Sequence, residues 1–456
     1  MKPFINILTL YFLVILIFPS CENKRERPGS NKVNQPTDES ASPKNGNSTG
    51  YGQSYSEDSE VPQNTSINQQ QSISKVTFFI ENSGSMLGYV RKTNNYKSAI
   101  VGLSYSPDFD NSKKEFYFIN GTNNKIKKSK FSQNLIGTDP ELLKDNLNQS
   151  SFNKYGDIRF SDLTQLFEKA LSCAKGSEIS ILVSDCIYDV GEEADPLTAL
   201  KIETEKTKKV FRDRMKTENI QTIIIKAESQ FEGNYYFASK KGAQYINQKR
   251  PYYIIIFGDS RLLNKHFNEE NITKIITGYV SMARFLKIDN LKIPYQSTSQ
   301  NSKGKFKFDI TNKNKLTNAE KDRHGKGFQF TIAVDYSSLP FQEAYYNAKE
   351  NYSLSGAYTI LDIYTPTNQI HEVKKFTPSH LITIHTSSNP YGNIELNLKY
   401  IIPKWIKETS SVIESDIIGD VKHTYGFKYL TDAITEAYQY KNNQQNIGTF
   451  KIEILK

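Results

Sequence analysis

The sequence predicts an α/β domain, doubly wound around a mostly parallel sheet, followed by a mainly antiparallel β-sandwich. Two observations carry this reading. Between residues 75 and 288, short and continuously apolar runs alternate with one-faced amphipathic segments, the pattern of strands covered by helices on both sides. From about residue 300 the period changes to a strict alternation of apolar and polar residues, with Gly, Asn and Pro between the runs. A third feature sets the start of the fold. Before residue 75 the chain is rich in Ser, Asn, Gln and charge, and the whole of its 456 residues is only 37% apolar.

The amino terminus reads as a targeting segment. Lys2 supplies a positive start, and Phe4 to Phe18 is an apolar run too short to span a bilayer. The run closes in Phe18-Pro19-Ser20-Cys21. A small residue followed by Cys resembles the lipobox of bacterial lipoproteins. The resemblance implies cleavage after residue 20 and a lipid on Cys21, anchoring the chain to the bacterial cell envelope without spanning the membrane. Phe18 stands where that pattern usually has Leu. An ordinary secretory signal with an incidental Cys is the alternative. Residues 21–73 cannot bury enough apolar surface to offset their ordering entropy and are expected to form a flexible tether.

In the α/β part, residues 75–288, strands are expected at 75–80, 115–119, 178–184, 220–227 and 252–257. Ser161 is an expected N-cap, followed by Leu163, Leu166, Phe167, Ala170 and Leu171 at helical spacing. A long charged helix is expected over 196–218, and another after Asp259. In the second part, residues 300–456, Phe306, Phe308 and Ile310 alternate with polar residues. So do Phe328, Phe330, Ile332 and Val334, and Ile394, Leu396, Leu398 and Tyr400. Phe427, Leu430, Ile434 and Tyr438 fit a helix face, and Phe450, Ile452 and Ile454 a last strand. Sequence does not say which domain this tail packs on.

In an open α/β sheet, ligands bind beyond the carboxyl ends of the strands. Three stretches arrive there: Glu81-Asn82-Ser83-Gly84-Ser85, Ser161-Asp162-Leu163 and Ser184-Asp185-Cys186. Carboxylates and hydroxyls are hard oxygen donors, suited to Mg²⁺, Mn²⁺ or Ca²⁺ and poor for zinc. This triplet resembles the von Willebrand factor A family, whose metal site uses Asp-x-Ser-x-Ser after the first strand, a Thr at the head of a helix and an Asp after a later strand. By that resemblance Glu81 stands for the first Asp, Ser83 and Ser85 for the serines, Ser161 for the Thr and Asp185 for the last Asp. Glu81 departs from the family's Asp, and Ser184 and Cys186 replace the usual Thr and Gly around Asp185. Thr164 is a rival to Ser161. The resemblance covers roughly residues 75–275 and implies a Mg²⁺ or Mn²⁺ site, with Ca²⁺ also compatible.

Other chemistry is poorly supported. The net charge of +9 invites a nucleic-acid reading. The Lys residues are scattered, however, with no compact basic stripe, so no nucleic-acid partner is expected. Ser83 is in no G-x-S-x-G elbow. The six histidines form no H-E-x-x-H, and His380 and His385 are expected on opposite sides of a strand. Gly258-Asp259-Ser260 is read as a helix cap that could also shape the site's rim. Trp405 is read as an inter-domain or edge packing residue. Cys173 and Cys186 are expected roughly 20 Å or more apart by strand rise, hence as free thiols. The function expected is binding of an unidentified protein partner through the cation site. A metal-free scaffold subunit is the alternative, and a metal-assisted hydrolase is disfavoured because no base is poised beside the acids.

Overall fold

The computed structural model describes residues 72–92, 94–120, 132–159, 161–190, 195–287, 292–439 and 446–456. The expected signal peptide, the lipidation residue Cys21 and almost all of the tether lie outside the described residues. Ile73, read from sequence as tether, is buried at the start of the fold, and the Ser74 N–H donates to Ser177 O. Among the described residues no helix is long and apolar enough to cross a membrane.

The first part is a seven-stranded sheet. Its strands are β1 Lys75–Glu81, β2 Lys113–Asn120, β3 Ser132–Gly137, β4 Glu178–Ser184, β5 Ile220–Tyr236, β6 Ala243–Asp259 and β7 Tyr279–Phe285, in the order β3-β2-β1-β4-β6-β5-β7. The helices between them are α1 Asn95–Ser104, α2 Pro140–Asn146, α3 Gln149–Lys154, α4 Leu163–Cys173, α5 Pro196–Met215, α6 Ser260–His266 and α7 Glu269–Ile275. The sheet is mixed. Its centre is parallel, with β1 between β2 and β4. The remaining pairings, β2 with β3, β4 with β6, and β5 with both β6 and β7, are antiparallel. The expected parallel character therefore holds only at the centre. The reason is local: β5 and β6 are joined by the short loop 237–242, closed by the Phe237 N–H on Gly242 O and ending in Gly242 (φ +119°), and pair along their whole length, from Ile220↔Asp259 to Tyr236↔Ala243. Sequence placed separate strands at 220–227 and 252–257 and missed that they are the inner halves of one long hairpin.

Helices cover both faces. On one face Tyr252 of β6 packs against Tyr89 and against Tyr96 of α1. On the other, Phe257 packs against Phe167 of α4 and Phe211 of α5. The strand cores are continuously apolar because neither face meets water.

The second part is a β-sandwich. Its strands are β8 Tyr295–Lys303, β9 Lys305–Phe308, β10 Lys315–Glu320, β11 Phe328–Val334, β12 Tyr352–Leu354, β13 Thr359–Tyr364, β14 His380–Thr386 and β15 Gly392–Lys399. The two-residue strands β16 Ser410–Ser411 and β17 Thr424–Tyr425 follow, and then β18 Asn446–Ile454. One sheet runs β12-β15-β18-β10-β9 and the other β13-β14-β11-β8. Phe328, Phe330 and Ile332 of one sheet share a core with Leu396, Phe450 and Ile452 of the other. The Tyr and Phe wealth of this half is therefore largely core. Ile310 departs from its expected place in the alternation: β9 stops at Phe308 and Ile310 is 92% exposed. His380 is buried and His385 half-buried on β14.

The carboxyl-terminal tail divides. The short helices α8 Glu343–Asn347, α9 Trp405–Glu408 and α10 Glu414–Gly419 precede α11 Phe427–Gln439. In α11, Tyr438 meets Phe211 and Phe285, and its hydroxyl lies 2.8 Å from Thr222 Oγ1. The helix thus returns to the α/β core, while β18 pairs with β15 and β10 in the sandwich. Trp405 stacks on Phe427 and covers this return. Phe211 touches α4, β6 and α11 at once. Phe211→Ala is expected to destabilise the chain by about 3–5 kcal/mol, measured by urea unfolding of the two proteins side by side.

Candidate functional site

Strands β1 and β4 are parallel and in register, Ile80 opposite Val183. Both therefore end at the same level, and the residues that follow leave the sheet together. Glu81, on the face that carries Phe79, is 1% exposed; Asp185 is 2% exposed. Glu81 Oε2 accepts from the Ser184 hydroxyl, whose oxygen accepts in turn from the Cys186 N–H at 2.8 Å. Asp185 Oδ1 accepts weakly from Ile187 N at 3.4 Å, while its Oδ2 is buried with no hydrogen-bond partner.

The Ser83 and Ser85 hydroxyls lie 3.0 Å apart on the turn after β1. That turn is pinned from two sides. The buried Asn82 donates to Phe152 O and Tyr155 O, at 3.1 and 2.7 Å. The Gly84 N–H donates to Ile158 O at 2.6 Å. A short 3-10 helix over Gly84–Tyr89 then passes under the outer half of the β5–β6 hairpin. Only glycine fits at residue 88, since a Cβ there would lie 2.4 Å from the Phe231 ring.

Sequence assigned the α4 cap to Ser161. The cap is Asp162, which accepts from Gln165 N. Relieved of that role, Ser161 Oγ is buried without a hydrogen-bond partner, yet close enough to Glu81 to act on it electrostatically. The rival Thr164 is committed elsewhere, with its hydroxyl 3.0 Å from Thr207 Oγ1 of α5. Asp259 caps α6, and because β6 runs antiparallel to β4 it lies at the opposite pole from the site. Gly258-Asp259-Ser260 therefore does not shape the rim. Cys173 and Cys186 are free thiols.

Glu81, Ser83, Ser85, Ser161 and Asp185 together line one pocket of about 250 Å³. Ile158, Arg159, Ile187, Asp189, Tyr236, Phe237 and Ala238 complete it. Sequence reasoning missed this outer wall. The signal was present in Ser229-Gln230-Phe231-Glu232-Gly233-Asn234-Tyr235, where every second residue is buried. Among the described residues no group of three or more His, Cys, Asp or Glu side chains converges. The donor set here is two carboxylates and three hydroxyls.

The electrostatics are set by burial. Desolvation pushes the Glu81 carboxyl up to about 7, the Asp185 charge adds to the rise, and the Ser161, Ser184 and Ser83 hydroxyls oppose it. Burial raises Asp185 as well, opposed chiefly by the Arg250 guanidinium and the Ser85 hydroxyl. Cys186 is buried, and desolvation drives its thiol far above the usual range, so it stays protonated. It adopts φ +55°, a left-handed conformation that costs a non-glycine residue about 1–2 kcal/mol.

No protein-family model, curated protein or solved structure matches the chain.

A carboxyl whose folded pKa lies above its unfolded value binds more protons folded than unfolded between those two values. Stability then falls as pH rises through that window. For Glu81 the window runs from about 4.5 to about 7. The metal-free protein is expected to lose stability between pH 5 and pH 8, and Glu81→Gln to lose markedly less. Urea unfolding in EDTA at both pH values measures this.

Proposed function

We propose that this chain is an envelope-anchored binding protein that recognises a protein partner through a von Willebrand factor A-like divalent-cation site. The observation that carries the reading is the convergence of Glu81, Ser83, Ser85, Ser161 and Asp185, from three separate chain segments, on one pocket at the end of the parallel strand pair. Two of these groups, Ser161 Oγ and Asp185 Oδ2, are buried without a well-formed hydrogen bond, with the Ser161 hydroxyl turned to Glu81 and the Ser85 hydroxyl to Asp185. An unpaired buried polar atom costs about 1–3 kcal/mol, and a hard cation satisfies both. Ser83, Ser85 and Ser161 would hold such an ion through their hydroxyls, with Asp185 and Glu81 supplying the charge. Glu81 is one methylene longer than the Asp of the family pattern and reaches further into the pocket, which favours direct ligation over ligation through water. The ion would supply Lewis acidity toward an acidic group of the partner. Anchorage rests on the resemblance of Phe18-Pro19-Ser20-Cys21 to a lipobox.

Binding is favoured over catalysis by the pocket's lining. Among the described residues the lining holds no His, Lys or Cys, and its titratable groups are Glu81, Asp185, Arg159, Asp189 and Tyr236. The first two are the donors themselves, and Arg159 is engaged by Asp157.

Mg²⁺ or Mn²⁺ at millimolar concentration is expected to raise the unfolding midpoint, because a ligand that binds only the folded state adds about 2.7 kcal/mol at a hundredfold excess over Kd. Glu81→Ala and Asp185→Ala are expected to abolish the rise while leaving a cooperative transition, as scanning calorimetry with and without EDTA would show. Capture of a partner from native envelope in Mg²⁺ and its loss in EDTA would support recognition through the ion. Capture that persists in EDTA would indicate the metal-free scaffold instead.

A further inference from the structure

We infer that Arg250 is a resident counter-cation behind this pocket, and that its charge offsets Asp185 and weakens the hold of the site on a divalent ion. The inference rests on the cation-site reading above. Arg250 lies on β6, three residues before Tyr253, which pairs with Ser184. It therefore sits just past the end of β4, alongside the turn that begins with Asp185. Its side chain is 1% exposed. Its guanidinium lies over the rings of Tyr235, at 4.5 Å, and Phe231, at 5.2 Å, both on the hairpin that walls the pocket. Nε and both Nη atoms have no hydrogen-bond partner.

Cation–π contact gives about 2 kcal/mol when desolvated, while removing an ion from water costs several kcal/mol even after relaxation. Stacking alone does not hold this charge. The nearby buried acids supply the rest. Glu414 accepts from the hydroxyl of Tyr235, the ring under Arg250, and its carboxylate is further engaged by the Ala238 and Ser239 N–H groups and the Ser239 hydroxyl. Asp185, with an orphaned oxygen, is the acid whose charge Arg250 most directly offsets.

The consequence is one of charge balance. The pocket is lined by three carboxyl groups, Glu81, Asp185 and Asp189, which attract a divalent ion. Arg250 behind Asp185 offsets part of that attraction. It repels the ion, so the site is weaker and more exchangeable than its donor set alone would make it.

Mn²⁺ titration followed by electron paramagnetic resonance of the free ion tests this on the folded chain. Arg250→Met keeps length and packing but removes the charge; Arg250→Lys keeps the charge. Like charges on a buried guanidinium and a nearby ion repel strongly enough in a protein environment that Arg250→Met should tighten Mn²⁺ binding about tenfold or more. Arg250→Lys should stay within about threefold of the parent. Unchanged or weaker Mn²⁺ binding by a cooperatively folded Arg250→Met overturns the inference. Where Arg250→Met does not fold, Arg250→Lys decides: a change of about tenfold with the charge retained overturns it, and parental affinity supports it. A parent chain that binds no Mn²⁺ removes the cation-site reading itself.

Discussion

The in-register parallel pairing of β1 with β4 is the constraint from which the site follows. Because Ile80 faces Val183, the two strands end side by side, with Glu81 the last residue of β1 and Asp185 the first beyond β4. Two acids buried this closely in a medium of low polarity cannot both remain charged without compensation. Three compensations are built in: the Ser184 hydroxyl on Glu81, the Arg250 guanidinium behind Asp185, and the raised affinity of Glu81 for a proton. A bound cation would be the fourth and the strongest. The same strand pairing thus creates both the electrostatic problem and the place where an ion solves it.

The outer half of the β5–β6 hairpin makes this a pocket rather than an open edge. Beyond Ala227 and Tyr253 the two strands pair only with each other and rise past the sheet. Tyr236, Phe237 and Ala238 then close one side of the site. The tail secures that wall. Glu414, at the start of α10, receives four hydrogen bonds from residues 235–239, and Ala238 O in turn accepts from Val190 N at 3.0 Å, at the end of the Asp185 loop. The same tail continues through α11 on the α/β core, and β18 lies in the sandwich. The last strand of the chain is therefore linked by sequence to the segment that braces the pocket.

The inner strands were legible because they are buried on both faces: Phe78-Phe79-Ile80 and Ile181-Leu182-Val183 cannot face water. The convergence of Glu81, Ser83, Ser85, Ser161 and Asp185 was legible for the same reason, since strand ends fix where turns fall. The outer hairpin was not. Gln230, Glu232 and Asn234 on one strand and Gln244, Asn247 and Gln248 on the other look like loop unless the alternate burial of Phe231 and Tyr235 is weighed. The cap of α4 was assigned to Ser161 rather than Asp162 because either side chain caps well, and the local sequence does not separate them. The apolar stripe of α11 was visible, but the surface it covers is set by tertiary packing. Arg250 reads in sequence as one more scattered cation, and only the strand register shows it buried beside Asp185.

The central claim is that one hard cation is held jointly by the three chain segments. The most direct measurement is anomalous diffraction at the manganese edge from crystals grown with Mn²⁺. The account expects a single strong peak in the pocket, within about 2.5 Å of oxygens from Ser83, Ser85 and at least one of Glu81 and Asp185. A peak elsewhere on the chain, or none in the pocket at millimolar Mn²⁺, would contradict it.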